Sequence, residues 1–357
     1  MPTGLNATLA VLAKTKNDAA LAVLLPALDA PEAAVRSGAL RALLDRRSPR
    51  GQKEILRRVP SMNEAQLQII QARPGKLTIA LRDALLGDNE REYHNACQAT
   101  LWFREYDMAP VLVNAAEDMS NPHRGLAAVT LRSLCELLYG ELSAPRDYNQ
   151  RRDPQLLRRH LLTTLEHSFQ RFNKHKSPEI VESFLLLASR DNVVLKQALA
   201  NPHGDAYLCL VDLLTHSEQA GVLRLNLAFL DDPTAPSAAI GVIARRGDLK
   251  FIKLLTNKIG YEPSSAVSAN LRRIESIPWF DSHTDLLDEL DEQGQHGVVQ
   301  FATHAAIRRC QSFPVVSHLL RHGTAGGRRA AACALARFSG ADANNLALAA
   351  LGDADPR

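Results

Sequence analysis

The amino-acid sequence predicts an all-α protein, and three observations support this fold class. Leucine and alanine, both strong helix formers, account for 55 and 51 of the 357 residues, whereas aromatic residues make up only 5%. Apolar residues recur at helical spacing from one end of the chain to the other. The sequence also contains no Asn-Gly or Asp-Gly dipeptide and no run of alternating β-branched residues between turns, so it lacks the pattern typical of β-hairpins.

Three segments show the predicted helices most clearly. The first begins at Pro31, because proline is favoured in the first turn of a helix. The second covers 122–139, is apolar around most of its circumference and is predicted to end at Gly140. The third begins at Asp153-Pro154 and has an apolar face opposite a polar one. A helix that is apolar on two faces needs neighbours on two sides, so these segments predict stacked helix pairs.

A short loop that contains aspartate recurs before several of the predicted helices. Asp29 and Asp88 are 59 residues apart, and Asp88 and Asp118 are 30 residues apart. These spacings fit one structural unit of about 30 residues, with one unmarked copy between the first two loops. Asp353 follows Asp118 by 235 residues, which is close to eight such units.

The segment 28–43 has the pattern Leu-Asp-x-Pro-x-x-x-Val-Arg-x-x-Ala-Leu-x-x-Leu. It resembles the HEAT repeat, particularly the short bacterial HEAT-like repeats of the bilin-lyase type, and so does the terminal segment 351–357. In that family the Asp and Pro shape the turn between paired helices, and the Val-Arg step opens the second helix. The resemblance implies a right-handed α-solenoid of antiparallel helix pairs, with a concave surface that holds another macromolecule. It implies no chemical activity.

We therefore expect a single HEAT-like α-solenoid over residues 1–357, with irregular connections near 140–154 and 259–281. Long connections of this kind bend a superhelix or form binding loops. The last residues, 352–357, repeat the loop that precedes the second helix at 28–36, but no partner helix follows. We expect the parent polypeptide to continue beyond Arg357, with more repeats or a further domain.

The sequence shows none of the motifs of common catalytic or cofactor sites. GxGxxG, GxSxG and HExxH are absent. No histidine is followed by glutamate, which is the metal-binding pair of the HEAT enzyme that hydroxylates deoxyhypusine. His318 and His322 are interpreted as the C-terminal turn of a helix that stops before Gly323, rather than as two metal ligands. We predict no catalytic residues, no cofactor and no metal site.

The cysteines are interpreted as small core residues in a reducing compartment. They are odd in number, lie far apart and form no CxxC pair; their positions are 97, 135, 209, 310 and 333. The sequence has no uncharged apolar run of 18 residues, and Lys14 and Lys16 follow the first apolar run instead of preceding it as in a secretory signal. The predicted location is the cytoplasm, and no membrane partner is expected.

The net charge of +3 does not by itself indicate a polyanionic partner, but the basic residues are unevenly distributed. They form groups within 46–82, 146–176 and 308–337, whereas 281–292 is acidic. Each basic group is interpreted either as a solvated face or as a surface that binds an acidic protein or a nucleic-acid backbone. The second group lies beside the longest predicted connection, and its candidate partner-binding residues are Arg151, Arg152, Arg158 and Arg159.

The predicted function is that of a non-enzymatic scaffold or adaptor that binds a protein partner on its helical surface. The first alternative is a nucleic-acid-binding protein related to the HEAT-like DNA glycosylases. That family uses Trp and Asp on a concave basic surface, an arrangement that Trp102 and Trp279 do not match, so both are interpreted as packing residues. The second alternative is an enzyme of the bilin-lyase HEAT type, which no individual residue supports.

Overall fold

The computed structural model describes residues 3–145, 152–282 and 284–353 of the chain. Within these residues all regular secondary structure is helical, so the predicted all-α fold is confirmed. No helix in this part of the chain combines the length and the apolar character needed to cross a membrane. Contacts between residues divide the protein into two compact units, Met1–Leu187 and Ala188–Arg357.

The described residues of the first unit form the helices α1 (Thr3–Lys14), α2 (Ala19–Ala27), α3 (Ala33–Arg46), α4 (Pro49–Arg58), α5 (Glu64–Gln71), α6 (Thr78–Leu86), α7 (Glu90–Phe103), α8 (Ala109–Glu117), α9 (Arg124–Ser143), α10 (Pro154–Phe169), α11 (Phe172–His175) and α12 (Pro178–Leu187). These helices form two rows. One row contains α1, α3, α5, α7, α9 and α12, and the other contains α2, α4, α6, α8 and α10, each helix in contact with the next of its row. Contacts such as α3 with α4 and α8 with α9 join the two rows.

The described residues of the second unit form α13 (Val193–Ala200), α14 (Tyr207–His216), α15 (Ala220–Phe229), α16 (Ser237–Arg245), α17 (Leu249–Ile259), α18 (Ser265–Leu271), α19 (Pro278–Ser282), α20 (Glu292–His304), α21 (Arg309–His322), α22 (Ala325–Leu335) and α23 (Ala341–Ala350). The same pattern recurs here. Helices α15, α17, α20 and α22 make one row, α14, α16, α19 and α21 make another, and α23 packs on α22.

The apolar faces of the helices form the core of each unit. In the first unit Leu40 and Leu131 are fully buried, and the ring of Phe169 stacks on Phe184 with their centroids 4.9 Å apart. In the second unit Phe251 is fully buried on α17. Removing such side chains from water contributes roughly 1.5–3 kcal/mol each, which makes core burial the main stabilising term.

Arginine side chains close the C-terminal ends of several helices. The last carbonyl groups of a helix have no partner within it, and a guanidinium group offers several N–H donors in a fixed geometry. Arg124 Nε donates to Ala116 O at 3.0 Å near the end of α8, and Arg337 Nη1 donates to Thr303 O at 2.8 Å near the end of α20. Some of the arginines therefore stabilise helix ends by hydrogen-bonding to their last carbonyl groups.

Hydrogen bonds between helices repeatedly join residues that lie nearly one predicted structural unit apart in the sequence. The pairs and their separations are Asp29–Arg58 (29), Gly75–Glu105 (30), Ser217–Arg246 (29), Asp288–His318 (30) and Gln295–Thr324 (29). These values match the 30 residues between the Asp88 and Asp118 loops. Each of these bonds therefore joins residues about one predicted structural unit apart. The sequence separation of the bonded residues matches the spacing of the aspartate-containing loops.

Helix α9 is longer than the sequence predicts. The sequence places its end at Gly140, but the helix continues to Ser143, so the connection expected at 140–154 begins four residues later. A Cβ atom at Gly140 would meet nothing within 4 Å, and a glycine inside a helix costs only about 1 kcal/mol. Burial of the apolar face outweighs this cost. Residues 146–151 of the connection lie outside the described residues.

The second irregular region, predicted near 259–281, contains short helices. Helix α17 ends at Ile259, because Gly260 adopts a φ of 60° that favours glycine. Helices α18 and α19 then occupy much of the region. Trp279 on α19 is buried, as expected for a packing residue, but Trp102 at the end of α7 is 40% exposed, so the packing interpretation is wrong for Trp102.

Candidate functional site

The four arginines predicted to bind a partner have different surroundings. Arg151 lies outside the described residues. Arg152 Nη2 lies 3.1 Å from Asp107 Oδ2, and Arg158 Nε donates to a main-chain carbonyl group at the end of α12 at 2.8 Å. Arg159 is exposed on α10. Two of these arginines therefore hold other parts of the first unit together, and their role in partner binding stays a prediction.

Replacing Arg158 by alanine is expected to lower the free energy of unfolding by about 1–2 kcal/mol, because the carbonyl group of buried Leu187 loses a charged donor. The neighbouring exposed arginine provides the control, and Arg159→Ala should stay within about 0.5 kcal/mol of the wild type. Urea-induced unfolding measures both. Equal losses in the two variants would contradict the structural role of Arg158.

Three of the basic residues on α4, Lys53, Arg57 and Arg58, are ion-paired, whereas Arg50 forms no ion pair with any described residue. Arg58 Nη2 lies 2.9 Å from Asp29 Oδ2, and Arg57 Nη2 lies 2.9 Å from Glu92 Oε1. Hydrogen bonds from Arg58 and Arg57 hold the pKa of Asp29 and of Glu92, respectively, below their ordinary values. These carboxylates are therefore ionised at neutral pH, and they offset the positive charge that a nucleic-acid backbone would need.

A cleft with a volume of about 290 Å³ opens between α4, α6 and α7 of the first unit. Its apolar lining consists of the buried side chains of Leu56, Ala80 and Ala84. Charged side chains surround this apolar floor; they are Arg50, Lys53, Arg57, Asp83 and Glu92. The cleft thus combines an apolar base with charges of both signs.

Asn95 on α7 distinguishes this cleft from an ordinary packing gap. Its residue surface is only 5% exposed and it lines the cleft, yet its amide group forms no hydrogen bond with any of the described residues. Gln52 on α4 is also buried, but its Nε2 donates to Lys76 O at 2.6 Å and its Oε1 accepts from Ala80 N at 3.3 Å. Because its amide atoms are not fully enclosed, they face the cleft and can hydrogen-bond to a ligand there.

The sequence analysis missed this cleft. The sequence contains one indication of the cleft, which is the helical spacing of its polar residues. Lys53 and Arg57 lie one turn apart on α4, and Glu92 and Asn95 lie one turn apart on α7. Each pair places polar groups on one helix face. Without knowledge of which helices adjoin, however, these pairs are indistinguishable from solvated faces.

Two larger clefts flank α23 in the second unit, with volumes of about 600 and 530 Å³. Alanine and leucine side chains make most of the first, and Leu351 beside it is 84% exposed. Arg328 and Asp353 pair across it, with 2.7 Å from Nε to Oδ2. The first of these clefts is mainly apolar, and the second is lined by exposed polar residues such as Arg321, Asp342 and Asn345. In the α4–α6–α7 cleft the unpaired amide belongs instead to a residue that is largely buried, Asn95, and we take this cleft as the candidate site.

The five cysteines differ in burial, and Cys209 is intermediate between the buried and the exposed ones. Cys97 and Cys135 are buried, as predicted, and burial raises their pKa values to about 11 and about 12, which leaves both thiols protonated and unreactive at neutral pH. Cys310 and Cys333 are exposed, so the interpretation as core residues is wrong for these two. Small size and apolar neighbours in the sequence do not reveal which helix face a cysteine occupies.

His318 and His322 lie in the last two turns of α21, which ends at His322 before Gly323 as predicted. His318 Nε2 lies 2.8 Å from Asp288 Oδ1, and the two imidazole rings are 4.9 Å apart between centroids. Among the residues that the structure describes, no cluster of three or more His, Cys, Asp or Glu side chains has the geometry to hold a metal ion.

Glu105, which follows α7, is a buried carboxylate. Its Oε1 accepts a hydrogen bond from Gly75 N at 2.8 Å, and Arg152 lies close enough to offset part of its charge. Burial nevertheless raises the pKa of Glu105 above its ordinary value of 4.5. The folded protein therefore binds a proton at this carboxylate more tightly than the unfolded chain does.

This shift predicts a pH-dependent stability. Because the folded-state pKa of Glu105 is raised, its contribution to stability is complete below pH 4.5 and is lost as the pH rises through the raised pKa. Glu105→Gln imitates the protonated form and keeps the acceptor for Gly75. We expect this variant to match the wild type below pH 4.5 and to exceed its stability increasingly towards neutral pH.

Urea-induced unfolding between pH 4 and pH 7 measures this difference, with exposed Glu64→Gln as the control that should show no comparable trend. A constant difference between Glu105→Gln and the wild type over this range would contradict the raised pKa.

No known family model matches this chain, and no curated protein is significantly similar to it in sequence. The fold and the cleft themselves define the class: an all-helical protein built from two units of helix rows, with a mixed-charge cleft in the first unit.

Proposed function

We propose that the protein is a non-catalytic scaffold of HEAT-like repeats that binds a partner protein at the α4–α6–α7 cleft. In this proposal each unit is a right-handed α-solenoid segment of antiparallel helix pairs. We also propose a cytoplasmic location, in keeping with the wide spacing and odd number of the cysteines.

The repeat architecture has two supports. The helices of each unit contact both their neighbours in sequence and the helices two positions further on, as stacked pairs require. The interhelical hydrogen bonds recur at separations of 29 and 30 residues, the length of one repeat. Both observations agree with the resemblance of 28–43 to a HEAT repeat.

The single observation that carries the binding proposal is the cleft with an apolar floor and a charged rim, which the amide of Asn95 lines without a hydrogen-bond partner among the described residues. A protein interface typically buries apolar surface around a few polar groups. The ion pairs on α4 favour a protein over a nucleic acid, because phosphate binding depends on unneutralised Lys and Arg side chains.

Site-specific crosslinking tests the proposal. A photo-reactive residue replaces either Arg50, at the cleft, or Arg91, an equally exposed arginine of α7 that does not line it. Each full-length variant is irradiated in a lysate of its source organism, with and without nuclease. We expect a discrete protein adduct from position 50 that survives nuclease, and none from position 91.

Adducts that disappear with nuclease would replace the proposal by the nucleic-acid alternative. Identical adducts from both positions would show that the cleft has no special role and would overturn the proposed binding site.

A further inference from the structure

In the third basic group of the sequence, within 308–337, most arginines lack carboxylate partners. Between Glu292 and Asp342 the chain contains six arginines and no Asp, Glu or Lys residue. Arg328 pairs with Asp353. Four other arginines are exposed and form no ion pair with any residue that the structure describes; they are Arg308, Arg309, Arg321 and Arg337. Their positive charge is therefore available to an external anion.

Three of these arginines meet at one end of α20, α21 and α22. Arg308 is the N-cap residue of α21, and Arg309 begins the helix. The guanidinium group of Arg309 lies 5.5 Å from the ring centroid of Phe313 and 6.0 Å from that of Phe338. Arg337, next to Phe338 in the sequence, hydrogen-bonds to the last turn of α20. We call Arg308, Arg309 and Arg337 the arginine edge.

The position of Arg308 and Arg309 is unfavourable for the helix itself. The N-terminus of a helix carries a partial positive charge, which favours carboxylates there and disfavours cations. The first turn of α21 nevertheless contains no acidic residue, and no side chain caps its N-terminus. Helix stability therefore does not explain the two arginines. An anion bound beside them interacts favourably with both guanidinium groups and with the N–H groups of the first turn.

An aromatic pair lies directly beside the arginine edge. The rings of Phe313 on α21 and of Phe338, which follows α22, are 5.5 Å apart between centroids, and both residues are half-buried. The guanidinium group of Arg309 lies over both rings. Nucleobases stack on aromatic rings and on guanidinium planes. The arrangement therefore offers contacts for bases next to contacts for phosphate groups.

We propose that the arginine edge and the Phe313–Phe338 pair bind single-stranded nucleic acid. The arginines bind phosphate oxygens, and unpaired bases stack on the aromatic pair and on Arg309. Phe313 and Arg321 also line the cleft of about 530 Å³ between α21 and α23, which extends the surface along α21. This surface belongs to the second unit, so the inference goes beyond the proposed function and does not depend on it.

The charges and rings of this surface favour a single strand over an acidic peptide or a duplex. Asp342 lines the cleft and is exposed, whereas Asp353 pairs with Arg328. Four unpaired arginines against Asp342 leave an excess of three positive charges among these described residues, which suits a backbone with one negative charge per nucleotide. An acidic side chain has no ring to stack on the aromatic pair, and the bases of a duplex already stack on one another.

Fluorescence anisotropy with the intact, purified chain tests the inference. The probes are fluorescein-labelled single strands of oligouridine and of oligodeoxythymidine. We expect the affinity to fall about 20-fold between about 50 and 200 mM salt, because each phosphate contact of a single strand contributes about −0.7 to the log–log salt slope and the arginine edge supplies three. Binding of either strand supports the inference, and the ratio of the two affinities shows whether RNA or DNA is preferred.

Charge reversal locates the phosphate contacts. Arg309→Glu should weaken binding about tenfold and reduce the salt slope by about 0.7. This variant places a carboxylate in the first turn of α21, where the helix favours it, so the fold is retained. Arg224→Glu on α15 makes the same charge change at an exposed arginine away from the surface and should leave the affinity within about twofold.

A conservative change tests the base contacts. Phe338→Leu keeps an apolar side chain but removes the ring, and it should weaken binding about fivefold because base stacking is lost. An abasic strand with the same number of phosphates should bind the wild type and Phe338→Leu equally. A purely electrostatic surface does not predict this difference between the two strands.

Equal affinity of the wild type and Arg309→Glu would overturn the inference, and so would equal affinity for the abasic and the complete strand. Poly-glutamate that displaces the probe as well as an unlabelled strand does would assign the surface to an acidic protein and would also overturn it. These measurements use purified components and the second unit, so their outcome is independent of the crosslinks at position 50 in the first unit.

Discussion

Replacing Arg246 by alanine should lower the free energy of unfolding of the second unit by about 2–4 kcal/mol, because it removes three hydrogen bonds made by a buried guanidinium group. Arg246 is only 2% exposed. Its guanidinium donates to Asp248 Oδ2 at 2.5 Å, to Leu214 O at 3.0 Å and to Ser217 O at 2.7 Å, and it lies over the ring of Phe251 at 5.0 Å. Alanine removes all three of these hydrogen bonds, although Leu214 O still accepts one from Asn226 Nδ2 at 2.7 Å.

The adjacent residue provides a matched control. Arg245 is exposed and donates only to a carbonyl group of its own helix, so Arg245→Ala should cost less than about 0.5 kcal/mol. Urea-induced unfolding followed by the fluorescence of Trp279, buried in the same unit, measures both variants. If Arg246→Ala and Arg245→Ala unfold at the same urea concentration, the network does not stabilise the unit as described.

The second large effect is expected at Gly297, where α20 crosses α17. A Cβ atom at this position would lie 1.9 Å from the carbonyl oxygen of Thr256, a main-chain atom that cannot turn away. The two helices must separate to accommodate even one methyl group. We expect Gly297→Ala to cost about 3 kcal/mol, at the upper end of the usual range for overpacking.

Gly241 on α16 is the control, since its Cβ would meet only the flexible end of Arg245, at an ordinary 3.7 Å. Gly241→Ala should raise the free energy of unfolding by about 0.5–1 kcal/mol, because alanine favours the helix and restricts the unfolded chain. The two substitutions are chemically identical and should have opposite signs. A stabilising Gly297→Ala would show that the crossing is not as close as 1.9 Å.

The sequence predicts the helices well because their apolar spacing and their first residues are local properties. It places Pro31 close to the start of α3 and Asp153-Pro154 at the start of α10. The structure confirms the second start, since Asp153 Oδ1 accepts a hydrogen bond from Gln155 N at 2.9 Å and caps α10.

The partners of charged and polar side chains are not local properties, and there the sequence is a poor guide. A count of arginines does not show that Arg158 donates a hydrogen bond to a carbonyl group on α12. Nor does it show that Arg57 forms an ion pair with a carboxylate on α7. The burial of Asn95 depends equally on which helices adjoin. The candidate cleft therefore emerges only from the three-dimensional structure, although each residue that lines it is an ordinary member of a predicted helix.

The interhelical hydrogen bonds at separations of 29 and 30 residues have a consequence for how the chain folds. Closing a loop of this length costs little more entropy than closing a shorter one, because the cost grows only with the logarithm of loop length. In the proposed repeat architecture, each new helix pair docks on the pair made just before it, without a search across the whole chain. A chain of this kind would start to fold at any sufficiently stable helix pair and extend from it in both directions, which favours rapid assembly during synthesis.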